Sequence, residues 1–191
     1  MRQLLALFLP GLLVFAALEA FSKTQASWRV SREWKDGSCG FVQNIYNQRL
    51  SWKNNFPIPL QIHNSVPDSM KAAIYRATQV WEKAMGQKVF TITETHKLGS
   101  KDLAQMKDKT NTIYWYNPGE WTGEKDDQAR TVISWNGSQI TQANMLINSD
   151  SFRFYVDRAS TGFEIDLESV VIHELGHVLG LKHNDHREGI M

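Results

Sequence analysis

Apolar residues recur every three or four positions in one long stretch of the chain. Between positions 70 and 84 they fall along a single face of a helix. The Pro-Asp-Ser segment at positions 67–69 is typical of a helix start, and Gly86 is a natural stop. We therefore predict a helix here and interpret its apolar face as core. A second helix is predicted from Asp166, as its N-cap, to about Leu179.

Alternating apolar and polar residues, many of them β-branched, predict strands before and between these helices. Asn136-Gly137 is the strongest short hairpin signal in the chain. The predicted strands cover residues 59–63, 88–95, 112–116, 130–135 and 139–147. The connections are predicted at residues 97–111, 117–128 and 149–165. This order of elements predicts an α+β fold in which a twisted mixed sheet packs on two helices.

The first 26 residues have the pattern of an export signal. Arg2 precedes an uncharged apolar run over residues 4–18, and small residues follow it. The run is short for a bilayer-spanning helix, which needs about 20 residues. We therefore predict that residues 1–26 form a signal peptide, cleaved after Ala26 or Ala20, and that the protein is secreted, extracellular or periplasmic. An uncleaved N-terminal anchor is the alternative.

The rest of the chain divides into an extension and one domain. Residues 27–56 are irregular and rich in tryptophan, so we predict an N-terminal extension that resembles a prosegment. Residues 57–191 contain every predicted helix and strand and form the main domain. The composition, 42% hydrophobic and 21% charged, is that of a globular protein rather than of a disordered or fibrous one.

Charge and cysteine content exclude several classes of protein. The chain has 21 basic and 20 acidic side chains, so no strong field attracts nucleic acid or an anionic membrane. The single cysteine, Cys39, excludes an intramolecular disulfide framework and a cysteine-based zinc finger. We predict a monomer without a nucleic-acid partner and without stable membrane association once the signal peptide is removed.

The candidate chemistry lies in residues 173–183, which read His-Glu-Leu-Gly-His-Val-Leu-Gly-Leu-Lys-His. On a helix, His173 and His177 are separated by one turn plus about 40°, so both imidazoles leave the same face. Two imidazoles placed in this way can share one metal ion. Glu174 lies beside that face, where it can bond a metal-bound water without being a ligand itself.

Gly180 and His183 complete a candidate three-histidine site. Gly180 can adopt the left-handed conformation that ends a helix, which lets the chain turn back. His183 can then supply a third nitrogen, and three imidazoles leave the fourth position of a zinc ion open, as in catalytic sites. A lone His-x-x-x-His pair is usually ordinary, but five residues at fixed offsets argue against chance.

The extended motif resembles the signature of the metzincin zinc endopeptidases. Met191, eight residues after His183, matches the methionine turn of the matrixin branch, the matrix-metalloproteinase-like enzymes. The resemblance implies a metzincin-like fold with the zinc helix near the C-terminus, and it extends more loosely over residues 57–191. It also implies that Met191 forms the floor of the site.

Function and residue roles follow from the same resemblance. It implies a secreted zinc-dependent endopeptidase that acts on an extended peptide or protein substrate. One catalytic Zn²⁺ is expected on His173, His177 and His183, with Glu174 as the general base toward the zinc-bound water. The predicted strand at residues 130–135 is expected to be the sheet edge that holds the substrate. Binding of Ca²⁺ is left open.

The chain departs from the matrixin pattern in several places. Asn184 stands where matrixins usually have serine. Only His96 lies near the loop that would hold a structural zinc, so we predict none. The family continues beyond Met191 through a proline-containing pocket wall and a final helix. We therefore expect either that the sequence is truncated or that the S1′ side of the cleft is missing, and that the 191-residue form is weakly active or unstable. His186 could compete as the third ligand, but the motif spacing favours His183.

Cys39-Gly40 invites comparison with matrixin zymogens, which block their zinc with a prosegment thiolate. The flanking residues lack the preceding arginine and the following proline of that pattern. We therefore interpret Cys39 as a half-buried free thiol rather than a latency switch.

Two alternatives to a secreted endopeptidase stay open. One is an inactive zinc-binding extracellular domain that binds extended peptides, and the other is a membrane-tethered form of the enzyme.

Overall fold

A mixed sheet and two helices carry the candidate site in the computed structural model, which describes residues 40–53, 55–95, 109–183 and 191. The helices are α1 (Asp68–Met85) and α2 (Leu167–Val178). The strands are β1 (Ile58–Ile62), β2 (Phe90–Glu94), β3 (Thr112–Tyr116), β4 (Ala129–Asn136), β5 (Gln139–Asn148), β6 (Arg153–Tyr155) and β7 (Glu164–Asp166).

Both helices begin and end at the residues that the sequence predicts. Helix α1 stops at Gly86, whose φ of 66° is the left-handed conformation that glycine adopts without steric cost. Its buried residues include Ala73, Ile74 and Ala77, which confirms that the apolar face is core. At the start of α2, the Asp166 carboxylate accepts a hydrogen bond from the Ser169 backbone N–H at 3.1 Å.

In the described part of the chain, the main sheet has five strands in the order β2-β1-β3-β5-β4. Neighbouring strands are parallel in the pairs β1–β2, β1–β3 and β3–β5, and β4 pairs with β5 in the antiparallel sense. Gly137, with a φ of 58°, lies in the turn of the predicted β4–β5 hairpin. Strand β4 is therefore the last strand of the sheet within the described residues, and the predicted α+β fold with a mixed sheet is confirmed.

The two faces of the sheet bury different sets of side chains. On β3, Ile113 and Trp115 join the main core, which both helices share. Tyr114 and Tyr116 point to the opposite face, where they form a smaller cluster with Leu146 on β5. All five β3 residues are buried because both faces of this strand are covered.

One predicted connection contains regular structure. Residues 149–165 include β6 and most of β7, which pair in parallel as a second, two-stranded sheet. Each of these strands has three residues, too few for an alternation of polar and apolar positions to be recognised.

Several predictions from the sequence concern residues outside the described part of the chain. These are the signal peptide and most of the 97–111 connection, together with Cys39, His96, Asn184 and His186. Among the helices of the described residues, neither combines the length and the apolar character needed to cross a bilayer.

A buried asparagine connects three strands next to the start of β3. Asn111 is 5% exposed, and its side-chain NH₂ group donates to the Pro59 carbonyl on β1 at 2.8 Å. Its side-chain oxygen accepts from the Ala143 N–H on β5 at 2.9 Å. Both ends of the amide are used, so its loss would leave the buried Ala143 N–H and the partly buried Pro59 carbonyl without these partners.

We expect Asn111→Ala to lower the free energy of unfolding by about 2 kcal/mol, because it removes two hydrogen bonds and leaves the buried Ala143 N–H unsatisfied. Urea denaturation measures this loss. The exposed Asn117 provides the control, since Asn117→Ala should change stability by less than about 0.5 kcal/mol. Equal stability of the two variants would contradict the role of Asn111.

Candidate metal centre

The packing of helix α2 in the core determines the direction in which its two histidines point. Leu167, Val171 and Leu175 are fully buried at helical spacing and fix the rotation of the helix about its axis. His173 and His177, one turn apart, then lie on the same side of the helix with their ring centroids 4.7 Å apart. The apolar pattern of the helix thus determines where both imidazoles point.

The turn after α2 brings the third histidine back to the first two. The N–H of Gly180 donates to the His177 carbonyl, and the N–H of Leu181 donates to the Gly176 carbonyl, both at 2.9 Å. This pair of bonds is the Schellman arrangement, and Gly180 has the positive φ, 89°, that it requires. The chain reverses at this point, and His183 reaches the histidine pair on the helix.

The three histidines converge through the same ring atom. The Nε2 atoms of His173 and His183 are 2.9 Å apart, and the Nε2 atom of His177 is 3.1 Å from each. Three imidazole nitrogens on one zinc ion, at about 2.0–2.1 Å from it, are separated by about 3.3 Å. The observed spacing and the purely nitrogen donor set therefore fit a zinc ion, and this group could hold a metal.

Neighbouring groups favour the neutral, metal-binding form of the imidazoles. The Leu181 carbonyl lies 2.9 Å from Nδ1 of His177, which puts the ring proton on Nδ1 and leaves the Nε2 lone pair free. Burial lowers the pKa of His177 to about 4. Burial, followed by repulsion from the other two imidazoles, also lowers the pKa of His183. These imidazoles therefore need not lose a proton to bind a metal near neutral pH.

Glu174 lies beside the triad, and only 5% of it is exposed. Burial raises the pKa of its carboxyl group, while the hydrogen bond from Thr131 and positive charge on His173 or His183 act in the opposite direction. The Thr131 hydroxyl donates to Oε2 of Glu174 at 2.6 Å. This bond holds the carboxyl group in one orientation beside the histidines.

Sequence reasoning did not identify Thr131 as a functional residue. It lies on the edge strand β4, whose alternation places Thr131 and Ile133 on the buried side. The sequence feature that could have identified it is a hydroxyl at an inward-facing position of a predicted edge strand. Thr131, Glu174 and the three histidines line a cavity of about 430 Å³ between β4 and α2.

Met191, the other residue singled out from the motif, contacts α2 directly. Its sulfur packs so closely on Gly176 that a Cβ atom at position 176 would overlap it. The same Cβ atom would also lie 3.2 Å from the ring of Trp81 on α1. Gly176 lies between the two helix histidines in sequence, so the methionine packs on the turn of α2 that carries them.

Comparison with known proteins agrees with this geometry. A His-Glu-x-x-His helix followed by a glycine turn and a third histidine defines the metzincin class. The family model described as Matrixin matches residues 51–191, and the chain belongs to this family. Metalloendoproteinase 4-MMP of Arabidopsis thaliana is 30% identical over 79 residues, which are 41% of this chain and only 23% of that protein. The resemblance seen in the motif is thereby confirmed.

We expect the purified protein to bind about one equivalent of zinc and His177→Ala to lose most of it, because the variant lacks one of three converging nitrogens. Metal analysis after dialysis against zinc-free buffer measures the content. His183→Ala should behave like His177→Ala, whereas the control His186→Ala should keep its zinc. Full zinc retention by His177→Ala would contradict the ligand assignment.

Proposed function

We propose that this matrixin is a secreted zinc endopeptidase that cleaves extended peptides at the centre between α2 and β4. One observation carries the proposal: three Nε2 atoms within 3.1 Å of one another share a cavity with a buried carboxyl group. A purely structural role for these residues gives no reason for three imidazole lone pairs to converge.

His173, His177 and His183 would hold the zinc ion, with one coordination position left open. When bound, zinc supplies a Lewis acid next to the scissile carbonyl and lowers the pKa of a coordinated water toward about 7. The three imidazoles would be neutral ligands, so they would add no negative charge to the ion.

Glu174 is the proposed general base. Its carboxylate takes a proton from the attacking water and returns it to the nitrogen of the leaving amine. Burial favours this role because it raises the pKa of the carboxyl group and so makes the carboxylate a better proton acceptor. Thr131 is the proposed positioning residue, since its hydroxyl fixes the orientation of that carboxylate through the 2.6 Å hydrogen bond.

The edge strand β4 is the proposed substrate platform. Within the described residues, its only strand partner is β5, so its other edge can pair with a peptide backbone. An added strand would run along the cavity that contains Glu174 and the histidines. Extended peptides and unfolded segments of proteins are therefore the proposed substrates.

Export is supported by the family and by the start of the sequence. Matrixins are typically extracellular. We propose that residues 1–26 are a signal peptide removed on export, and that the protein then acts as a monomer without stable membrane association.

Glu174→Gln tests the role of the carboxylate. The amide keeps the shape of the side chain and a hydrogen-bond acceptor for Thr131, but it removes the base. General acid–base catalysis contributes about 10²- to 10⁴-fold, so peptide hydrolysis should fall by at least that range while zinc content stays at the wild-type level. Hydrolysis of a quenched fluorescent peptide and metal analysis are measured on the same samples.

The control for this experiment is the melting temperature of both proteins. If Glu174 only stabilised the helix, the melting temperature would drop and hydrolysis per folded molecule would not. If the domain is an inactive peptide binder, neither protein would hydrolyse peptide and both would bind it equally. Undiminished hydrolysis by the zinc-loaded glutamine variant would overturn the mechanism.

Thr131→Val tests the positioning role of the hydroxyl. Valine has nearly the same shape but cannot donate to the carboxylate, so we expect kcat to fall about tenfold, the equivalent of one hydrogen bond to a charged group. Thr131→Ser should restore kcat because it restores the donor. Thr141→Val on β5 removes an exposed hydroxyl and serves as the control. A serine variant as slow as the valine variant would argue against the role of the hydroxyl.

A further inference from the structure

The chain ahead of β1 pairs with the turn that carries the third histidine. The Val42 N–H donates to the Gly180 carbonyl at 2.8 Å, and the Lys182 N–H donates to the Gly40 carbonyl at 2.7 Å. Together they form an antiparallel bridge between Phe41 and Leu181. The residues on the α2 side of this bridge immediately precede His183.

The bridge also acts on the second histidine. The Leu181 carbonyl, at the centre of the bridge, is the group that lies 2.9 Å from Nδ1 of His177. The orientation of the His177 ring therefore depends on a backbone segment that the N-terminal residues hold in place. The bridge thus affects two of the three converging imidazoles, because His177 lies against its Leu181 carbonyl and His183 follows it directly in sequence.

A second set of contacts fixes the last turn of α2. The indole N–H of Trp52, a residue only 6% exposed, donates to the Val178 carbonyl at 2.7 Å. Val178 has one of the terminal carbonyls that a helix cannot satisfy by itself. Leu50 is fully buried, and its carbonyl would lie 3.0 Å from a Cβ atom at position 180. The turn at Gly180 is thus packed directly against the N-terminal segment.

The N-terminal segment is itself firmly attached to the sheet. The Ile140 N–H on β5 donates to the Ser51 carbonyl at 2.9 Å, and the Ser51 N–H donates to the Ser138 carbonyl at 3.1 Å. The Asn44 side chain donates to the Gly137 carbonyl at 2.9 Å, in the turn of the β4–β5 hairpin. Residues 40–52, here called the N-terminal clamp, therefore connect the β4–β5 hairpin to the end of α2.

We propose that the N-terminal clamp is a permanent part of the metal centre, in which Val42 and Trp52 are positioning residues for His177 and His183. This inference rests on the proposed zinc site, and it differs from the interpretation of residues 27–56 as a prosegment-like extension outside the main domain. Processing that preserves the centre must leave residues 40–52 attached to the domain.

The test compares the zinc dissociation constants of full-length variants, measured by competition with a chelator. Val42→Pro removes the N–H that bonds to Gly180, and Trp52→Phe removes only the indole N–H. Loss of a group that hydrogen-bonds to a metal ligand typically lowers metal affinity by about 10- to 100-fold. We therefore expect the zinc dissociation constant to rise about tenfold or more in Val42→Pro and by a smaller factor in Trp52→Phe.

Trp121→Phe is the matched control. The Trp121 indole N–H also donates to a backbone carbonyl, that of Glu124 at 2.9 Å, in the loop before β4. The control should keep the wild-type dissociation constant. Trp52→Phe is conservative enough to fold if Val42→Pro does not, and the melting temperatures of the zinc-free proteins identify variants that are folded at the assay temperature.

Each outcome decides the proposal. Raised dissociation constants for folded clamp variants, with an unchanged control, support it. Wild-type affinity in folded Trp52→Phe and Val42→Pro would overturn it and leave the clamp a purely structural element. Zinc binding by a wild-type protein that hydrolyses no peptide would refute the proposed peptidase function but not this inference, whereas no zinc binding by the wild type would refute both.

Discussion

Three imidazole nitrogens held about 3 Å apart are the constraint around which this structure is organised. Three lone pairs that face one another repel unless a shared cation lies among them. The surrounding protein must therefore hold the histidines in place. The apolar face of α2 does this for His173 and His177, and the glycine turn at position 180 does it for His183.

In the proposed function, the edge strand connects substrate binding to the general base. Strand β4 would offer its outer edge to a peptide, and Thr131 on the same strand donates a hydrogen bond to Glu174. A peptide that pairs with β4 is consequently placed in a fixed register relative to the carboxylate and the histidines. Precise placement of reacting groups is a large part of enzymatic rate enhancement, and one strand can supply it here.

Much of the fold could be predicted because its signals are local. The helix period, the glycines at positions 86 and 180 and the Asn-Gly hairpin each act through a few neighbouring residues. The histidine site could also be predicted from the sequence, because all three histidines and Glu174 lie within eleven consecutive residues, 173–183. The Matrixin family model matches residues 51–191, which include this motif.

The features that sequence reasoning missed depend on contacts between distant parts of the chain. The bond between Thr131 and Glu174 joins residues 43 positions apart, and the bond from Trp52 to Val178 spans 126 positions. Residues 40–52 form isolated bridges and side-chain contacts rather than a long strand, so they have no periodic pattern. Only the folded chain brings them to the end of α2.

X-ray absorption spectroscopy of the zinc-loaded, full-length protein tests the central claim most directly, because it reads the ligands of the bound ion. The expected result is three imidazole nitrogens at about 2.0–2.1 Å and one oxygen from solvent, the pattern of an open catalytic site. A sulfur ligand at about 2.3 Å, or fewer than three imidazoles, would contradict it.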